Sequence, residues 1–157
     1  MKKIVFGTLF IFSFSFFSPA QSYTTSIGLK GGLFGWGALN GKHFIAGSNA
    51  LEATIGGGRN FTWFELLYEW QNPTNLIDGL DWYVGAGGAL GSWRKNYDFD
   101  GFNSGFHLGA RAVVGLDYTF SSIPLNLAFD TGPYLGLINS PGFGWHGGFA
   151  LRFILNR

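Results

Sequence analysis

Three segments of this chain alternate apolar and polar side chains with a period of two over unusually long stretches. From Phe106 onward one face carries Phe106, Leu108, Ala110, Ala112, Val114, Leu116, Tyr118 and Phe120. The opposite face carries His107, Gly109, Arg111, Val113, Gly115, Asp117 and Thr119. Further on, Leu125, Leu127, Phe129, Leu135 and Leu137 oppose Asn126, Asp130 and Tyr134. At the C-terminal side Trp145, Phe149, Leu151, Phe153 and Leu155 oppose His146, Ala150 and Arg152. Neighbouring side chains of a strand point to opposite faces, whereas a helix repeats every 3.6 residues, so these segments are strands. A strand of roughly 10 residues crosses a bilayer when tilted, and ordinary sheets use about half that length.

Composition narrows where such strands belong. Only 12% of the residues are charged, 19% are aromatic and 26 are Gly. A water-soluble domain is about a quarter charged, so this chain lacks the groups to cover a water-facing surface. Yet beyond residue 20 it has no apolar run long enough for a helical span. A sheet closed on itself in lipid reconciles the two, because it needs apolar residues only at alternate positions and leaves no backbone edge unpaired. The Gly content also argues against helix.

The N-terminus reads as an export signal. Lys2 and Lys3 precede an apolar run over residues 4–17, and Ser18-Pro19-Ala20 places small residues before Gln21. This is the pattern of a secretory signal peptide cleaved after Ala20. The run falls short of the roughly 20 residues that a spanning helix needs. No Cys follows it to carry a lipid anchor, and without Cys the chain forms no disulfide. The expected organisation is therefore a signal peptide at 1–20 and one barrel domain at 21–157. Removing Lys2 and Lys3 takes the formal charge from +1 to −1. That balance gives no electrostatic case for nucleic acid or a polybasic membrane surface.

Extending the alternation outward predicts eight strands, at 23–35, 38–46, 51–58, 61–71, 80–93, 106–120, 125–138 and 145–155. Turn residues fall between them at Gly47-Ser48-Asn49, from Asn72-Pro73 to Asp78-Gly79, at Ser121-Ser122-Ile123-Pro124, and at Ser140-Pro141-Gly142. An even number of strands returns both termini to one side, with the longest loop, 94–105, on the other. Trp70 and Trp82 then fall at one end, and Trp36, Trp63, Trp93 and Trp145 at the other. Amphipathic rings belong at membrane interfaces, so all six are expected to form two aromatic belts.

Several short segments carry a resemblance: Lys42-His43-Phe44-Ile45 with Asn49-Ala50-Leu51-Glu52, Leu67-Tyr68-Glu69-Trp70, Gly79-Leu80-Asp81-Trp82-Tyr83, and Gly115-Leu116-Asp117-Tyr118-Thr119-Phe120 with Ile123-Pro124-Leu125-Asn126-Leu127. In this order they resemble a family of small outer-membrane β-barrel proteins, eight-stranded and of the OmpX/OmpA-barrel type. The resemblance runs through most of the chain after residue 20. It implies a fold and a location, and it brings no catalytic residues. One departure is visible. Such barrels commonly end on an aromatic residue read by the barrel assembly machinery, whereas this chain closes on Phe153-Ile154-Leu155-Asn156-Arg157.

Candidate chemistry lies on the polar faces. Alternation sends Lys30, Glu52, Glu65, Glu69, Asp81, Arg111, Asp117, Asp130 and Arg152 into the lumen. Six acids beside three bases suit a proton relay or cation site, since clustered carboxylates perturb one another. They equally suit structural filling, because an eight-stranded lumen is just wide enough for side chains, and filling is the reading adopted. Lipid A deacylases use His-x-Ser, but His43, His107 and His146 all lack Ser two residues on. Lipid A palmitoyltransferases gather His, Asp and Ser in outer loops. His107, Ser104, Asp98 and Asp100 lie near one loop here, but a triad is recognised by geometry. Three scattered His give no metal-ligand spacing. Gly56-Gly57-Gly58 and Gly85-Ala86-Gly87-Gly88 lack the Lys-Ser/Thr and helix of a phosphate loop.

The expectation is an all-β, eight-stranded antiparallel transmembrane barrel in the bacterial outer membrane. Its role is structural or surface-interacting, with a filled lumen, no cofactor, no metal and no catalytic residue. Its partners are outer-membrane lipids, the barrel assembly machinery and an unidentified ligand of the outer loops. A lipid A-modifying enzyme and a soluble periplasmic lipid carrier are the alternatives. The carrier requires the reverse polarity, apolar inside and polar outside.

Overall fold

The structure is a computed structural model that describes residues 23–32, 35–94, 104–140 and 142–156, with only the backbone of Gly35 and Trp36. Residues 1–20, read as the signal peptide, lie outside the described residues, as do Asp98 and Asp100. Among the described residues there are eight strands: β1 (Thr25–Gly32), β2 (Gly35–Ala46), β3 (Asn49–Gly57), β4 (Phe61–Pro73), β5 (Leu80–Trp93), β6 (Gly105–Thr119), β7 (Leu125–Ile138) and β8 (Phe143–Asn156). Each pairs antiparallel with its sequence neighbour, and β1 pairs with β8, so the sheet closes as an up-and-down barrel. Closure leaves no exposed edge.

The alternation decides which way each strand presents its side chains. Burial switches residue by residue along β5 and β6, with Tyr83, Ala89, Arg111, Val113 and Asp117 inside and Val84, Leu90, Val114 and Leu116 outside. A one-residue slip would invert a whole strand, so the register is tightly specified. Thr24 N donates to Asn156 O across 2.8 Å, so the start of β1 and the end of β8 meet at one end. The turn at 47–48 and the connections 74–79 and 120–124 share that end. Residues 58–60, Arg94 and Ser104, and Asn139, Ser140 and Gly142 mark the other, called here the mouth.

Two local features shape the first hairpin. The β1–β2 ladder pairs Lys30 with Ala38 but Gly31 with Trp36, which leaves Gly37 as an extra residue. Gly37 has φ of +104°, a conformation that favours Gly, so the bulge and the residue type agree. β1 is described as far as Gly32, and β2 starts at Gly35 rather than at residue 38, with residues 33–34 outside the described residues. Elsewhere the predicted strands stand within about two residues of the observed ones, as is usual for element ends.

The interior is packed in three apolar layers. Tyr23, Phe44, Ala50 and Ile154 fill the end opposite the mouth. Leu67, Tyr83, Val113, Ala128 and Ala150 pack at mid-height. Trp63, Ala89, Trp93 and Tyr134, with Phe61 against them, plug part of the mouth. Glycines make room for the rings: a Cβ on Gly115 would come within 2.4 Å of Tyr83 Cζ, and one on Gly109 within 2.2 Å of the Tyr134 hydroxyl.

Candidate functional site

Between the apolar layers runs a column of charges. All ten Asp, Glu, Lys and Arg residues carried by the eight strands are buried inside the barrel. They include each of the nine predicted lumen charges, and the tenth is Lys42, which the sequence reading omitted. Arg111 contacts Glu65 at 2.8 Å and Asp130 at 2.7 Å. Lys30 contacts Asp130 at 2.6 Å and Glu52 at 2.5 Å. Arg152 joins Glu52 to Asp117, the latter at 3.4 Å. Lys42 joins Asp117, at 3.3 Å, to Glu69, at 2.8 Å. Signs therefore alternate without a break along Glu65, Arg111, Asp130, Lys30, Glu52, Arg152, Asp117, Lys42 and Glu69, from the mouth toward the opposite end. Asp81 is attached through Gln71, which receives a bond from Lys42 at 2.5 Å and donates to Asp81 at 2.8 Å.

The ordering has an electrostatic cause. An ion taken from water into a protein interior loses several kcal/mol of solvation, which close partners and hydrogen bonds must offset. Each cation here bridges two carboxylates, and neutral amides fill the remaining positions. Arg152 Nε donates to Asn40 Oδ1 at 2.5 Å, and its NH1 donates to Asn126 Oδ1 at 2.9 Å. Asn126 in turn donates to Asp117, and Tyr83 donates to Asp130 at 3.3 Å. Lys42 also lies 4.4 Å from the centre of the Tyr83 ring, within cation–π range. Glu69 faces Lys42 by charge alone, its oxygens making no aligned hydrogen bond. Six carboxylates against four cations line the interior along its length.

The tryptophans divide. Trp70, Trp82 and Trp145 are exposed on the outer wall near the barrel ends. Trp63 and Trp93 do not join them: each is 3% exposed and lies inside the mouth, ring centres 6.4 Å apart. This corrects the expected belts, and the reason is parity. Trp63 sits two residues before the inward Glu65, and Trp93 shares the inward face of β5 with Tyr83 and Ala89. The Trp36 side chain lies outside the described residues.

The loop constellation also takes another form. His107 is fully buried, packs edge-on against Trp93 at 4.5 Å, and has Nδ1 at 3.3 Å from Ser140 Oγ. Ser104 is exposed at the foot of β6. Ser140 Oγ donates to Ile138 O at 3.0 Å and receives the Tyr134 hydroxyl at 3.2 Å. A hydroxyl so engaged ties the β7–β8 turn to the plug. Nothing in the sequence spacing pointed to Ser140, because it meets His107 only through the β6–β7 pairing. His43 faces outward near the opposite end, with Nδ1 at 2.8 Å from Thr25 Oγ1.

Comparison of the chain with models of known families, with curated proteins and with solved structures finds no match.

Proposed function

We propose that this chain is a small integral outer-membrane β-barrel, exported by its N-terminal signal and serving a structural or surface-interaction role through its loops. One observation carries the reading: every charged side chain of the strands is inside, and the outer wall of the strands carries none. In its place all eight strands expose apolar groups, among them Ile27, Leu39, Ile55, Leu66, Val84, Leu116, Phe129 and Leu151. Soluble monomers rarely expose apolar patches beyond a few hundred Å². A continuous girdle of this kind is what hydrocarbon requires of a closed sheet. The exposed Trp70, Trp82 and Trp145 near its margins suit the two membrane interfaces.

The filled, ion-paired interior supports a role without an open pore, and it is unlike the apolar cavity of a lipid carrier. The engagement of Ser140 by Ile138 and Tyr134 favours a non-catalytic mouth. Fractionation of expressing cells tests the reading. The mature chain should begin at Gln21 and sediment with the outer membrane, resisting extraction by salt and alkaline carbonate. Recovery as a salt-soluble periplasmic protein overturns it.

A further inference from the structure

Charges outside the barrel are few, and their placement is uneven. Among the described residues the exposed charged side chains are Arg59 and Arg94 at the mouth and Asp78 at the opposite end. Arg59 stands in the turn 58–60, Arg94 follows the end of β5, and Arg94 N donates to Asn60 O across 2.8 Å. That bond carries the β4–β5 ladder one step further, so the two cations are neighbours on the rim. Parity with the outward Ser92 turns Arg94 to the outer side. Every ion pair of the described residues lies inside the barrel, so neither guanidinium has a carboxylate partner among them.

Below this pair the outer wall is indented. A groove of about 430 Å³ runs down β5, with Phe64, Leu66 and Tyr68 of β4 along one side and Leu90 and Leu108 at its mouth-side end. Its floor is Ala86 and Gly88, both facing outward. The fold does not require glycine at 88. A Cβ there would meet nothing nearer than Gly109 O at 3.8 Å, and the backbone has no positive φ. Gly109 and Gly115, by contrast, make room for interior rings. What the missing side chain at Gly88 leaves is the depth of the groove.

The spacing fits one class of occupant. A strand rises about 3.3 Å per residue, so Gly88 lies about 20 Å from Arg94 along β5. At a tilt of about 40° that is about 15 Å of depth, half of a hydrocarbon core of about 30 Å. An acyl chain whose headgroup sits at the rim therefore reaches the groove and ends near its floor. A guanidinium can form two parallel hydrogen bonds to a phosphate, and two such cations side by side favour a group of net negative charge. A zwitterionic headgroup adds an ammonium, for which the described rim holds no carboxylate.

We propose that this face of the barrel binds one anionic acyl lipid, its phosphate at Arg59 and Arg94 and one chain in the groove over Gly88. The site rests on the membrane reading and deepens it by naming a lipid class and a place on the wall. An apolar wall alone is solvated by any lipid, and the rim pair adds the preference.

The test uses the full mature chain refolded in detergent micelles, with bound lipids counted by native mass spectrometry. Dimyristoyl phosphatidylglycerol and dimyristoyl phosphatidylcholine are titrated separately. The first phosphatidylglycerol should bind about fivefold or more tightly than the first phosphatidylcholine, the effect of a single cation near an anionic lipid surface. Arg59→Gln combined with Arg94→Gln should bring the two affinities together. Gly88→Leu, which fills the groove, should weaken the first phosphatidylglycerol, and Ala86→Leu is a second variant of the same kind. A shift in gel mobility on boiling reports that each variant is folded. Dihexanoyl phosphatidylglycerol and sodium phosphate, which lack the long chain, should not displace the bound lipid. Flotation with phosphatidylcholine vesicles tests the membrane reading by itself: a chain that floats yet shows no anionic preference overturns this site alone, and a chain that does not float overturns both. The proposal is also overturned by an unchanged first-site affinity for phosphatidylglycerol in the folded rim variant or in the folded groove variants, or by displacement with sodium phosphate.

Discussion

Arg152 is the group whose loss the interior should feel most. It is fully buried on β8 and touches four partners from three other strands and its neighbour β7: Asn40, Glu52, Asp117 and Asn126. Arg152→Met keeps much of the side-chain volume but removes one of the two cations from each of two buried carboxylates. Glu52 is left with Lys30, Asp117 with Lys42, and the interior moves from six carboxylates against four cations to six against three. Removing one partner of a buried pair costs about 3–5 kcal/mol, a large share of the roughly 5–15 kcal/mol that holds a small domain folded. Glu52→Gln alone is milder, because it reduces the excess of buried acids to five against four cations, while Lys30 retains Asp130 and Arg152 retains Asp117. The double variant removes one charge of each sign, so its cost should fall below the sum of the singles by about 1–3 kcal/mol. Urea unfolding of the barrel in lipid vesicles, followed by Trp fluorescence, measures all four corners of the cycle. An Arg152→Met cost under about 0.5 kcal/mol, the size of an ordinary surface change, would refute the reasoning. Strict additivity in the cycle would do the same.

Three other outcomes follow from the two faces of the wall. Phe129→Arg places a charge on the outer wall and should cost about 2–4 kcal/mol in vesicles if that wall meets lipid near the midplane, read by the same urea titration. Gly115→Ser, one face over, should not be mild: its Cβ would lie 2.4 Å from the buried Tyr83 ring and 2.7 Å from Phe129 O. Overpacking of that kind costs about 1–3 kcal/mol, visible as a lower unfolding midpoint. Purified barrel incubated with lipid A and phospholipid should leave the acyl chains unchanged by mass spectrometry. Acyl loss or transfer that disappears in both His107→Ala and Ser140→Ala would establish an enzyme instead.

Where side chains alternate by polarity, the strands could be read from the sequence. The predicted 125–138 coincides with β7 because outward Leu125, Leu127, Phe129, Leu135 and Leu137 alternate there with inward Asn126, Ala128, Asp130 and Gly132. The first hairpin was not legible. Gly31, Gly32, Gly35 and Gly37 carry no polarity to mark a face, and the bulge at Gly37 shifts the phase. Lys42 was missed for a related reason: its strand puts apolar Phe44 inside and polar His43 outside, against the pattern. The register pairs Lys42 with Glu52, so counting back from the Gly47-Ser48 turn would have recovered it. Trp63 and Trp93 were assigned by the preference of indole for interfaces, although parity with Glu65 and Asp81 already turned both inward. The pairing of His107 with Ser140 depends on which strands are neighbours, and no local spacing encodes that.

The central claim is that the apolar wall faces lipid while the charged column does not. Tryptophan quenching by phospholipids brominated along their acyl chains tests it most directly. Two reporters are compared in proteins whose other tryptophans are replaced by Phe: Phe129→Trp on the outer wall, where Phe129 is 55% exposed, and native Trp63, 3% exposed inside the mouth. Strong quenching of the Phe129→Trp reporter with Trp63 unaffected is the expected result. An unquenched Phe129→Trp reporter, or equal quenching of the two, would contradict the lipid-facing wall.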